Sequence, residues 1–142
     1  MGTRSLTKII ESWENKSGKK ESRPITCMYR QMDGYMEGHG LDLASFLSQF
    51  TIVNGMSMDE ERKIANGMDC LAAQMFAHFK NGPGNIYLQH PDTKEVWEDY
   101  QYEVEEDKEH GLMITVYSVW NGRKKIFHGT PEELLNHVSE LA

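Results

Sequence analysis

Between Tyr29 and Gly40 the chain changes its hydrophobic period. On the N-terminal side the residues alternate, with Ile25, Cys27 and Tyr29 in one phase and Met28, Arg30 and Met32 in the other, which is the period of a strand. On the C-terminal side Leu43, Leu47 and Phe50 recur at helical spacing. A strand and a helix therefore belong to one folding unit, joined by a break. Gly34, Gly38 and Gly40 supply that break, with Asp33-Gly34 as its turn dipeptide.

The flanking sequence extends this pattern. Residues 4–11 (RSLTKIIE) predict a strand, NKSGKK around Gly18 predicts a turn, and residues 24–32 (PITCMYRQM) predict a second strand. A hairpin is the natural pairing. With its turn near Ser17, Arg4 falls level with Gln31, so the start of the chain lies beside the Asp33-Gly34 break. Residues 41–50 predict a helix. Met58-Asp59-Glu60-Glu61 predicts the opening of a longer one, running to Phe79 with Gly67 inside it and ended by Asn81-Gly82-Pro83-Gly84. Four strands follow: residues 85–89, 96–105, 112–120 and 123–128, the last two joined through Asn121-Gly122. Thr130-Pro131-Glu132-Glu133 opens a final helix with a capping box and a proline at its first turn. The expected fold class is α+β: a single antiparallel sheet in the order ββααββββα, with helices packed on one face. Polar positions at Asp99, Glu103 and Thr115 suggest that the other face is wet.

One domain is expected over residues 1–142. The net charge of -7 argues against duplex nucleic acid as a partner, because neutralising phosphates needs a basic face. The acidic residues concentrate between Glu95 and Glu109, and the first forty residues are net positive. Cys27 and Cys70 read as reduced thiols in apolar surroundings. No run approaches the length of a membrane span, there is no signal-peptide core, and Leu6 stands where a myristoylation motif requires Ser or Thr. A cytoplasmic location is expected, without a membrane partner.

Chemistry concentrates in the same stretch. Glycines let a backbone approach a ligand, and the N–H groups of the following helix favour an anion. Arg30 suits a phosphate or carboxylate, and Tyr29 and Tyr35 suit a ring. The expected ligand-binding set is Thr3, Arg4, Tyr29, Arg30, Asp33, Gly34, Tyr35, Gly38, His39 and Gly40. The competing reading is that Asp33-Gly34 is an ordinary turn, that Gly38-His39-Gly40 shapes the helix start, and that Arg30 simply pairs with Asp33. The glycine spacing fits neither a dinucleotide fingerprint nor a phosphate-binding P-loop. No catalytic residue is assigned. If the chain is an enzyme, His39 and Asp33 would form the acid–base pair. The six histidines show no metal-ligand spacing, so no metal or cofactor is expected, and His78 reads as a packed or half-exposed histidine. Trp97, Tyr100, Tyr102, Tyr117 and Trp120 read as sheet packing, or as a partner surface if the two tryptophans face outward together.

The opening MGTRSLT, the segment YRQMDGYMEGHG leading into DLASFL, and the closing FHGTPEELL resemble a group of small, largely uncharacterised proteins of bacteria and their phages. The group typically carries an MGTR-S/A-L start and a Y-R-x-x-D-G-Y-x-x-G-H-G core. The resemblance implies a phage or prophage setting, hence a host cytoplasm, and brings no activity with it. The leading expectation is a small soluble protein that binds, and in phage–host conflict sequesters, an anionic nucleotide-like ligand through the glycine-rich loop. The alternatives are an inhibitor or adaptor binding a host protein through the aromatic face or the acidic hairpin, and a small hydrolase or lyase using His39 and Asp33. A pocket at a sheet edge closes more easily across a dimer, which favours a homo-oligomer.

Overall fold

The computed structural model describes residues 2–53, 63–120 and 122–141. Strand β1 (Ser5–Glu14) and strand β2 (Lys20–Arg30) form the expected hairpin. Asn15 closes its turn, with Oδ1 accepting from the backbone N–H groups of Ser17 and Lys19. Ser5 pairs with Arg30, so Arg4 does fall level with Gln31. A π-helical turn (Met36–Gly40) runs directly into helix α1 (Leu41–Leu47). Strands β3 (Phe50–Val53) and β4 (Lys63–Asn66) pair in parallel as a separate small sheet, and helix α2 (Gly67–Phe79) follows. Strands β5 (Ile86–Gln89), β6 (Tyr100–Asp107), β7 (Gly111–Ser118) and β8 (Lys124–Gly129) then precede helix α3 (Pro131–Leu141).

The class is α+β, as the periodicities require, but there are two sheets where one was expected. The first helix ends at Leu47, and Phe50 opens β3 instead of closing that helix. Two further details differ. First, the main sheet is mixed rather than antiparallel, in the order β5-β2-β1-β6-β7-β8, because β1 and β6 run parallel. The pairings of β5 with β2 and of β2 with β1 are both antiparallel, so β5 and β6 point the same way with two strands between them. The chain must therefore cross over β2 and β1 before it can re-enter the sheet. Residues 90–99 make that crossing, and for this reason the strand expected from Val96 begins only at Tyr100. Second, the long middle helix is shorter than its apolar pattern. Lys63–Asn66 is extended, and Gly67 takes φ +83, a reversal that admits glycine without strain. The helix starts at Gly67 rather than passing through it. The expected opening at Met58-Glu61, the loop before it and Asn121 lie outside the described residues.

One face of the sheet carries Ile9, Met28, Tyr102, Val104, Ile114 and Val116, all buried, under Leu71 and Met75 of α2 and Leu134 and Val138 of α3. The final helix is capped as the sequence predicts. Glu133 N–H donates to Thr130 Oγ1 and Thr130 N–H to Glu133 Oε1, which also holds the Glu133 carboxyl below its ordinary range. The opposite face carries Leu6, Lys8, Cys27, Tyr29, Gln101 and Glu103. It is partly roofed by the crossing segment, whose Glu98 is buried. No helix among the described residues is long and apolar enough to cross a membrane.

Candidate functional site

The break between β2 and α1 is built from backbone. Asp33 adopts φ 62, a conformation Asp tolerates better than most residues. Its carbonyl accepts from His39 N–H at 2.7 Å, closing the π-turn on itself. A Cβ on Gly38 would collide with that same carbonyl, and a Cβ on Gly34 would stand 2.8 Å from the carbonyl carbon of Arg4. These two glycines are therefore needed for close approach of the chain to itself. Gly34 N–H also donates to Thr3 O at 2.9 Å, and Tyr102 Oη donates to Gly34 O at 2.7 Å. Gly40 lies over the Tyr102 ring.

The π-turn delivers His39 into the core beneath Arg30. The ring is fully buried, edge-on to Tyr102 at 4.8 Å and tilted against Phe79 at 5.3 Å. Its Nδ1 lies 3.1 Å from Arg30 Nη1, and its Nε2 lies 2.7 Å from Thr7 Oγ1. A guanidinium only donates, so Nδ1 must accept and the proton sits on Nε2, which donates to Thr7. Burial, reinforced by the neighbouring Arg30 charge, lowers the His39 pKa from 6.5 to about 3. His39 is a neutral strut.

Arg30 is held on three sides: Nε donates to Met32 O at 2.8 Å, and Nη1 to His39 Nδ1 and to Asp42 Oδ2, the latter at 2.9 Å. Its side chain is 11% exposed. Nη2 makes no hydrogen bond to any described residue. Arg30 lines a cavity of about 390 Å³ together with Asp42, Ser45, Phe46, Gln49, His78, Phe79, Asn85 and Ile86. The His78 ring stacks on Phe46 at 4.7 Å and meets Phe79 edge-on. The site thus combines a fixed cation, a carboxylate, small polar groups and an aromatic wall.

Of the residues singled out from sequence, Arg30 lines this cavity and His39 supports it. Asp33, Gly34, Tyr35, Gly38 and Gly40 build the turn, with Tyr35 Oη donating to Asp33 Oδ1 at 3.2 Å. That neighbouring carboxylate raises the Tyr35 pKa. Thr3 contributes its carbonyl. Arg4 and Tyr29 are elsewhere. Residues paired across an antiparallel ladder share a face, and alternate residues change face. Since Ser5 is opposite Arg30, Arg4 falls with Leu6 and Tyr29 on the other side of the sheet. Arg30 pairs with Asp42, not with Asp33.

Sequence reasoning passed over Thr7, Asp42, Asn85 and Tyr102. The usable signals were a threonine in the buried phase of β1 and an aspartate one helical turn after His39. Among the described residues no group of three or more His, Cys, Asp or Glu side chains converges as a metal site would require. In comparisons with known proteins, the chain matches no family model, no curated protein and no solved structure at a significant level.

Proposed function

We propose that the protein is a small-molecule-binding protein whose ligand is anionic and nucleotide-like. One observation carries this reading. Arg30 is almost wholly enclosed, its orientation is fixed by His39, Asp42 and Met32, it lines a cavity, and its Nη2 makes no hydrogen bond among the described residues. A guanidinium used only to hold the fold has no need of an open pocket in front of it. Fixing the fork beforehand lowers the entropy cost of binding an oxyanion. The His78–Phe46 stack offers an apolar wall to a base or similar ring. The phage setting implied by the sequence resemblance fits a role in sequestering such a ligand.

The test is calorimetric titration with a panel of nucleotides. At least one should bind, and Arg30→Met should weaken it by about ten- to a hundredfold, the worth of one charge-assisted hydrogen bond. Ser45→Trp should block the same cavity from an exposed helix position without touching the buried network. Absence of binding by every nucleotide at millimolar concentration would remove the proposal.

A second reading has its own support. Trp97 is 83% exposed and Trp120 68% exposed, and the segments that carry them are tied together by Val119 N–H donating to Asp99 O at 3.0 Å. Two outward tryptophans on neighbouring segments suit a protein partner. His39 favours no acid–base role, because both ring nitrogens are engaged and no surface of the ring is open.

A further inference from the structure

The face of the sheet turned away from the helices carries a second cavity, of about 270 Å³, between Leu6, Lys8, Lys94, Gln101, Glu103 and Arg123. Its charge balance is unusual for a chain of net charge -7: three cations line it against one carboxylate. Glu103 pairs in register with Lys8 across β1 and β6, the position from which a carboxylate would ordinarily neutralise the lysine. Instead Glu103 accepts from Arg123 Nη2 at 2.8 Å. Lys8 is only partly exposed and makes no ion pair among the described residues, and neither does Lys94.

The walls are fixed. Arg123 is anchored by Gln101 Oε1 at 2.6 Å, by Glu103, and by the Tyr117 ring 3.6 Å below its guanidinium carbon. Gln101 is anchored in turn by Glu98 Oε2 at 2.8 Å and by the carbonyl of Lys94 at 3.2 Å. Glu98 is buried and also accepts from Val96 N–H; it does not line the cavity and forms no ion pair with Lys8. Cys27, the neighbour of Lys8 on β2, has its thiol pushed up to about 11 by burial. It stays protonated and offers Lys8 no counter-charge.

We infer that this cavity is a second binding site, taking a compact dianion of the phosphate-monoester class. Two lysines on different elements, Lys8 on β1 and Lys94 on the crossing segment, line it together with the fixed Arg123, and Leu6 adds apolar lining. The volume holds a phosphate with a few heavy atoms attached and excludes a whole dinucleotide. This site is independent of the Arg30 cavity, because the sheet lies between them and they share no residue.

The experiment is an NMR titration of the uniformly ¹⁵N-labelled protein with inorganic phosphate, against sodium chloride at matched ionic strength. The amides of Lys8, Gln101 and Glu103 should shift saturably with phosphate and not with chloride. Lys8→Gln should weaken the effect at least about tenfold, while Arg30→Met leaves it unchanged. Should Lys8→Gln fail to fold, Lys94→Gln gives the same reading from outside the sheet. Equal shifts with chloride, the mark of an adventitious ion only, would overturn the inference. So would shifts confined to Arg30, Asp42 and Asn85, a result that leaves the Arg30 cavity standing.

Discussion

Both ring nitrogens of His39 are engaged in one polarity: Nε2 donates to Thr7, and Nδ1 accepts from Arg30. Protonation would set an N–H against an N–H, so the native state excludes the added proton that an unfolded chain accepts near pH 6.5. The sign follows from linkage. With the folded pKa at about 3, the contribution of His39 is complete above pH 6.5. It is lost as pH falls from there towards 3, at up to about 1.4 kcal/mol per pH unit. Urea denaturation midpoints measured from pH 7 to pH 4.5 should fall steeply. In His39→Gln they should start lower and vary less. An equal slope in the two proteins would remove His39 as the cause. Arg30 was legible from sequence because a lone arginine beside three glycines stands out. Thr7 and Asp42 were not, since a threonine in a strand and an aspartate in a first helical turn are each ordinary. Only the chain's path brings them to His39 and Arg30.

The π-turn between β2 and α1 owes its shape to two glycines with no room for a methyl group. Gly38→Ala would force a Cβ into the carbonyl of Asp33, and neither partner is a flexible side-chain tip that can move aside. The expected cost is about 3 kcal/mol, at the upper end for overpacking, read as a shift in chemical denaturation. A cost under about 1 kcal/mol would mean that the turn relaxes easily and that its glycines have another purpose. The ends of this element were legible from the change of period and from Asp33-Gly34. Its π geometry was not, because it rests on backbone bonds such as Gly40 N–H to Tyr35 O, which side-chain patterns do not report. A similar gap hid β4. The apolar stripe of α2 runs back through Ile64, and only the positive φ of Gly67 separates strand from helix. The capping box of α3 was legible in full, because both of its bonds are local.

Across the whole molecule, the main sheet is closed by contacts between distant parts of the sequence. Arg4 N–H donates to Asp99 Oδ2 across a separation of 95 residues, and β1 pairs in parallel with β6, with Ser5 opposite Tyr100. Such a topology pays a large loop-closure entropy before its central pairing is rewarded, so stopped-flow refolding should be on the order of milliseconds to seconds. Microsecond folding would be incompatible with β1 lying between β2 and β6. This parallel pairing was hidden in the sequence, since strand patterns give faces and not neighbours. Thr7 and Lys8 are consecutive on β1, yet one supports the Arg30 cavity and the other lines the opposite one. A single-residue insertion or deletion within Ser5–Ile9 would exchange their faces throughout the strand. Related chains should therefore vary in length at turns such as Asn15–Lys19, while β1 keeps a constant count of residues.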